Sequence, residues 1–180
     1  MNAGKLTVLA IVIPAILAGV GIWYTQTYAY HAPAPVQDTI TLTTLDGETA
    51  ALPVVDFDAI YSESSPLGYR ACFTLVQPPR GFTETYDRPA DEAPTIAPGW
   101  FDCFDARTLG ADIGANDAIA LLGTKNIAYG VDRIIALYPD GRGYAWHQLN
   151  NCGHKAYDGS PVGEACPPRP ETDAETASDQ

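Results

Sequence analysis

The sequence predicts an α+β fold: an N-terminal transmembrane helix, then one small domain with an antiparallel sheet, one or two short helices and two disulfides. Three observations predict it. Leu6 to Tyr24 is an uncharged, almost wholly apolar run of 19 residues. At a helical rise of about 1.5 Å it spans roughly 28 Å, close to the ~30 Å of a bilayer's hydrocarbon core. All four cysteines, Cys72, Cys103, Cys152 and Cys166, lie beyond that run. The rest alternates short period-two apolar stretches with turn residues, a pattern of hairpins rather than long helices.

The apolar run reads as an uncleaved signal-anchor. A secretory signal needs a core of about 7–15 residues and a small-x-small cleavage site. Thr27-Tyr28-Ala29 and Ala32-Pro33-Ala34 are the nearest candidates, followed by Tyr30 and Pro35, and neither suits a peptidase. A removed signal is the alternative. Trp23, Tyr24, Tyr28 and Tyr30 cluster at the exit, as an interfacial aromatic belt does. Lys5 precedes the span and the first charge after it is Asp38, so the N-terminus is expected in the cytoplasm. Pro14 bends the helix at mid-span, and Ala15 with Gly19 forms a small-xxx-small pair common in such spans. Residues 1–30 thus comprise the cytoplasmic start, the span and its aromatic interface.

Ala32-Pro33-Ala34-Pro35 suggests a stiff linker over 31–37 that lifts the domain off the membrane. The domain is expected over 38–166. Thr39 to Thr43 alternates, meets the turn Asp46-Gly47, and returns as Ala50 to Val55. A short helix is expected around Asp56 to Tyr61 before Pro66 and Gly68 break the chain. Tyr69 to Val76 reads as a strand with Ala71, Phe73 and Leu75 on one face. Pro78 to Pro98 holds five prolines and no periodicity, a long surface loop of the kind that often carries function. Asp105 can cap a helix reaching about Ile113, with Leu109 and Ile113 on one side. Ala118 to Leu122 is a short buried strand. Val131 to Tyr138, Pro139-Asp140-Gly141 and Tyr144 to Leu149 form the clearest hairpin. Consecutive apolar residues Ile134 to Leu137 make its first strand central and covered on both faces. The acidic, hydroxyl-rich stretch 167–180 reads as a disordered tail.

Composition narrows the function classes. A net charge of −12, with ten scattered basic residues, argues against nucleic acid or anionic lipid as partner. An even cysteine count beyond an anchor reads as two disulfides in an oxidising compartment. Of three possible pairings, Cys72–Cys103 and Cys152–Cys166 are favoured because sequence-near pairs close modest loops. A zinc site is the rival, but no C-x-x-C exists and Cys152-Gly153-His154 offers too few ligands. Phosphate loops, G-x-S-x-G elbows and H-E-x-x-H helices are missing, and Trp146 stands where the third glycine after Gly141 and Gly143 would belong in a dinucleotide loop. No catalytic residue, cofactor or metal site is therefore expected.

Weaker signals remain. Asp102 and Asp105 bracket Cys103 and could hold a hard cation, although a helix cap explains them better. Asp56 and Asp58 fit a solvated edge better than a catalytic pair. His147 alternates with Ala145 and Leu149 and is expected to be held by a backbone or carboxylate bond, His154 to be exposed, and His31 to lie partnerless near the membrane surface. Arg70, Trp100, Arg142, Trp146 and His147 form the best candidate surface for a partner or ligand, since aromatic rings beside arginines make binding hot spots; core packing is the competing role for the rings.

Ser64-Ser65-Pro66, Tyr69-Arg70-Ala71-Cys72-Phe73, Pro98-Gly99-Trp100-Phe101-Asp102-Cys103-Phe104 and Asp140-Gly141-Arg142-Gly143-Tyr144 resemble strings of a domain-of-unknown-function family of single-span alphaproteobacterial membrane proteins. The resemblance covers anchor and domain but not the tail. The family has no assigned activity, so no functional residue carries over. Some relatives bear a histidine-kinase label, yet this chain has no nucleotide-binding region and no phospho-acceptor helix, which leaves at most a sensing role. The sequence points first to an accessory or interaction protein in the inner membrane, held by Leu6–Tyr24, with its domain periplasmic and a protein partner of unknown identity. A ligand-sensing module bordered by the Pro78–Pro98 loop comes second, and a hydrolase built on His147 last.

Overall fold

The computed structural model describes residues 3–168; the stretch expected as an acidic tail lies, from residue 169 on, outside them. The chain begins with α1 (Ala3–Tyr24), continued by a π-helical turn over Thr25–Ala29. No residue of α1 is buried, and the helix through Ala29 is long and apolar enough to cross a membrane.

Seven antiparallel strands follow: β1 (Ala32–Pro33), β2 (Thr39–Thr43), β3 (Thr49–Ser62), β4 (Ser65–Leu75), β5 (Ile119–Ala128), β6 (Val131–Leu137) and β7 (Arg142–Leu149). Their order is β1-β3-β4-β7-β6-β5, with β2 pairing β3. The sheet curls until β2 approaches β5. Tyr86 and Asp87 close the gap: Asp87 N–H donates to Thr43 O and Leu122 N–H to Asp87 O, both at 2.8 Å. Thr43 Oγ1 adds a bond to Gly123 O at 3.1 Å.

Period-two alternation gives this curled sheet two apolar faces. Leu42, Tyr69, Ala71, Phe73, Leu121, Ile135, Leu137 and Ala145 fill the inside. Cys72, Ala120, Leu122, Ile134, Ala136 and Trp146 face outward, under Phe101, Phe104 and the helix α3 (Ala106–Ala115). The run Ile134 to Leu137 is covered on both sides, as its composition requires. Asp105 caps α3 by accepting from the N–H groups of Arg107 and Thr108 at 2.9 and 3.2 Å, and Leu109 and Ile113 are its buried residues. Both disulfides form as sequence proximity favours, Cys72–Cys103 and Cys152–Cys166.

Four expectations are corrected. Asp56–Tyr61 is strand, not helix: Ala59 packs inside and Ile60 outside, a period-two demand that pairing with β4 satisfies. A bulge at Asp56, whose φ is +53°, bends β3 there. Pro66 and Gly68 do not break β4; a Cβ at Gly68 would sit 2.3 Å from Ser62 Cβ, so glycine lets the hairpin arms close. The Pro/Ala segment, expected as a stiff linker that lifts the domain away, is instead held on the sheet: Ala32 and Pro33 pair with Tyr61 and Ile60, and Ala34 N–H donates to Ala59 O at 2.7 Å. The strand expected to end at Leu122 continues to Ala128, since β6 supplies a partner that far. Inside the Pro78–Pro98 loop one helical turn forms, α2 (Phe82–Thr85).

Candidate functional site

Three groupings of polar and aromatic side chains stand out, and each is assembled from distant parts of the sequence. The first joins domain to helix. Trp100 lies in the loop that Cys103 ties to Cys72 on β4. Its indole N–H donates to Thr27 O at 2.7 Å. The ring stacks on Tyr28, with centroids 6.1 Å apart, and meets His31 edge-on at 6.4 Å. The π-helical turn explains the acceptor: a helix end leaves its last carbonyls without intrahelical donors, and Trp100 satisfies one of them. His31 Nδ1 is shielded from solvent yet has no hydrogen-bond partner. Desolvation, and then the charge of Arg70, hold its pKa below the usual imidazole value.

The second grouping is a buried cationic node on β4, β6 and β7. Arg70 is 6% exposed and faces no carboxylate. Its guanidinium donates instead to four backbone carbonyls, those of Leu67, Tyr69, Thr95 and Ile96. Two of the four belong to the Pro78–Pro98 loop, so this side chain clamps the loop to the sheet. Burial lowers the Arg70 pKa to about 10. His147 is held on both ring nitrogens: Nδ1–H donates to Pro66 O at 2.6 Å, and Nε2 accepts from Arg133 Nε–H at 3.0 Å. The ring stacks on Tyr69, over which Arg133 also lies. Desolvation brings the His147 pKa down to about 4.

The third is a polar cleft of about 510 Å³ between the Asp87–Asp91 part of the loop and the stapled C-terminal segment. Asp132 Oδ1 accepts from Asn126 N–H and Asn150 Nδ2, both at 2.7 Å. Gln148 bridges Trp146 Nε1–H, Ala93 N–H and Asp91 O. These amides serve the cleft wall first.

The five residues singled out as a binding surface do not form one. Arg70, Trp146 and His147 are buried. Arg142 is exposed, pairs with Asp140 at 2.8 Å and stacks on Tyr138. Trp100 is half-buried against Thr27 and Tyr28. Arg70 and Trp146 are cross-strand partners, so their proximity is core architecture. Asp102 and Asp105 do not converge on a cation position, Asp105 being the cap of α3, and no group of three metal-ligating side chains occurs among the described residues. Sequence reasoning missed Gln148 and the Asp132–Asn150 pair; the Asn150-Asn151-Cys152 string beside a strand end was the available signal.

An apolar helix long enough to cross a membrane, joined to a curled antiparallel sheet with two disulfides, defines the class: a small disulfide-stabilised domain compatible with membrane anchoring outside the cytoplasm. The chain belongs to the family of unknown function DUF6446, whose model matches residues 40–167. That match begins within β2, after the apolar helix and β1, and covers the rest of the sheet domain. No curated protein and no solved structure matches the chain.

Proposed function

We propose that the chain is a non-catalytic accessory or interaction protein, anchored in the inner membrane by α1 with its N-terminus cytoplasmic and its domain periplasmic. The observation that carries this is that no residue of α1 is buried while the domain has a complete two-faced core of its own. An apolar helix with no protein to cover it belongs in lipid. Lys5 before the span, no charge before Asp38 after it, and two disulfides support the orientation. The non-catalytic reading is supported by His147, whose ring nitrogens are both engaged, by a carbonyl and a guanidinium. Crosslinking in native membranes followed by mass spectrometry is expected to join the domain to a second polypeptide; a chain that stays alone at native expression overturns the interaction role. Protease added to spheroplasts is expected to digest the domain and leave the N-terminal end protected.

A ligand-sensing role is the second reading, favoured by the polar cleft beside the Asp87–Asp91 segment. A ligand held there raises the thermal midpoint of the full chain by binding only the native state. Asn151→Leu at the cleft rim is expected to abolish that shift.

A further inference from the structure

The segment between Cys152 and Cys166 is ordered without a core. Its hairpin is held by backbone bonds from Ala156 N–H to Ser160 O at 2.8 Å and from Gly159 N–H to Ala156 O at 2.9 Å. Asp158 Oδ1 accepts from the Ser160 N–H and hydroxyl, and Glu164 pairs with Lys125. At the tip Tyr157 is completely exposed, at 109%, and Val162 is 64% exposed. A covalently closed hairpin that holds an aromatic ring away from its own domain is preorganised for a surface outside it.

Strand register identifies which end of the molecule bears this lobe. Pro33 pairs with Ile60, Ile60 with Arg70, and Arg70 with Trp146. Toward the β3–β4 turn the same rows lead to the exit of the membrane helix, where Ala29, Tyr30 and His31 share a cleft with Glu63 and Ser64. In that direction β7 runs from Trp146 to Leu149 and then into Asn150 and Cys152. The lobe therefore hangs from the helix-exit end of the sheet, three strand spacings along, roughly 14 Å at ~4.8 Å each. Tyr30, Tyr129 and Leu149, all exposed, lie at the same end. Tyrosines with apolar neighbours at this level continue the belt of Trp23, Tyr24 and Tyr28, and amphipathic rings of this kind favour the headgroup zone. Asp158 and Glu164 are engaged within the domain, which leaves Lys155, two positions before Tyr157, without an ion pair among the described residues.

We propose that the stapled lobe rests on the bilayer, with Tyr157 and Val162 seated in the lipid headgroup region as a second membrane contact beside the helix. This rests on the anchored reading of α1. The test is full-length protein carrying Tyr157→Trp, reconstituted in vesicles of phosphatidylcholine with or without brominated acyl chains; emission is compared with parent protein, whose own tryptophans are common to both. The exposed position tolerates the change. The added emission is expected to be blue-shifted and largely lost on brominated lipid. Protein that floats with the vesicles but whose added indole emission is solvent-like and unquenched overturns the lobe contact and leaves the anchor standing. Protein that fails to float overturns both. A photoreactive residue at position 157 that crosslinks to a polypeptide in native membranes, rather than to lipid, assigns a protein partner and also overturns the lipid contact.

Discussion

His147 illustrates how one residue can be legible in type and opaque in role. Its alternation with Ala145 points the ring the same way as apolar neighbours, with a backbone or carboxylate partner expected; the carbonyl of Pro66 is that partner. Arg133, its cross-strand partner in the β6–β7 hairpin, holds the other nitrogen, and what no local pattern encodes is the packing of the pair against Tyr69. Burial first, and then the Arg133 and Arg70 guanidinium charges, keep the ring neutral in the folded state, with a pKa of about 4 against 6.5 unperturbed. Because the folded pKa lies below the unfolded one, the unfolded chain binds the proton first. The His147 contribution to stability is therefore complete above about pH 6.5 and is lost as pH falls from there toward 4, by on the order of 3 kcal/mol at most. Wild type is expected to lose more stability than His147→Gln between about pH 7 and pH 4.5, read by chemical denaturation at each pH; equal losses refute the account. Arg70 makes a related point. A buried arginine without a carboxylate is unexpected from composition, and four carbonyls converging from two segments explain it.

At the scale of elements, the hairpin β6–β7 and the capped helix α3 were readable because their signals are local: a turn sequence, a cap, a period. β3 was not. Asp56 to Tyr61 has mixed periodicity because the bulge at Asp56 shifts the alternation by one, and only pairing with β4 shows which faces are inward. Gly143 belongs to the same lesson. A Cβ there would lie 2.0 Å from Phe73 Cε2, and the Phe73 ring is confined in the core against Phe57. Gly143→Ala is thus expected to destabilise the domain by about 1–3 kcal/mol through overpacking, read as a lowered unfolding midpoint. The Asp140-Gly141-Arg142-Gly143-Tyr144 string carries its second glycine for that ring and not for a phosphate.

For the whole molecule, the joint between helix and domain is the decisive feature. Trp100 reaches Thr27 across 73 residues of sequence, and Tyr28 and His31 complete an aromatic clasp. Trp100→Phe keeps a ring and removes the N–H donor. The loss of one hydrogen bond, about 1 kcal/mol, corresponds to a roughly fivefold larger undocked population. Fluorescence anisotropy decay of a dye on the domain in nanodiscs is expected to gain a fast component in that variant; an unchanged decay means the indole bond does not couple the two parts. The five candidate surface residues scatter at this scale, since aromatic and arginine side chains are equally at home in a small core and on its rim.

Composition and local pattern alone determined the apolar span, the pairing preference of the cysteines, the capped helix and the central hairpin, because each depends on neighbours in sequence or on bulk hydrophobicity. Sheet curling, the clamp of Arg70 on the loop, the neutral His147 and the seating of Trp100 on Thr27 were decided only in the tertiary structure. Each of those rests on burial or on a contact between segments that are separate in sequence, and burial makes the partner obligatory.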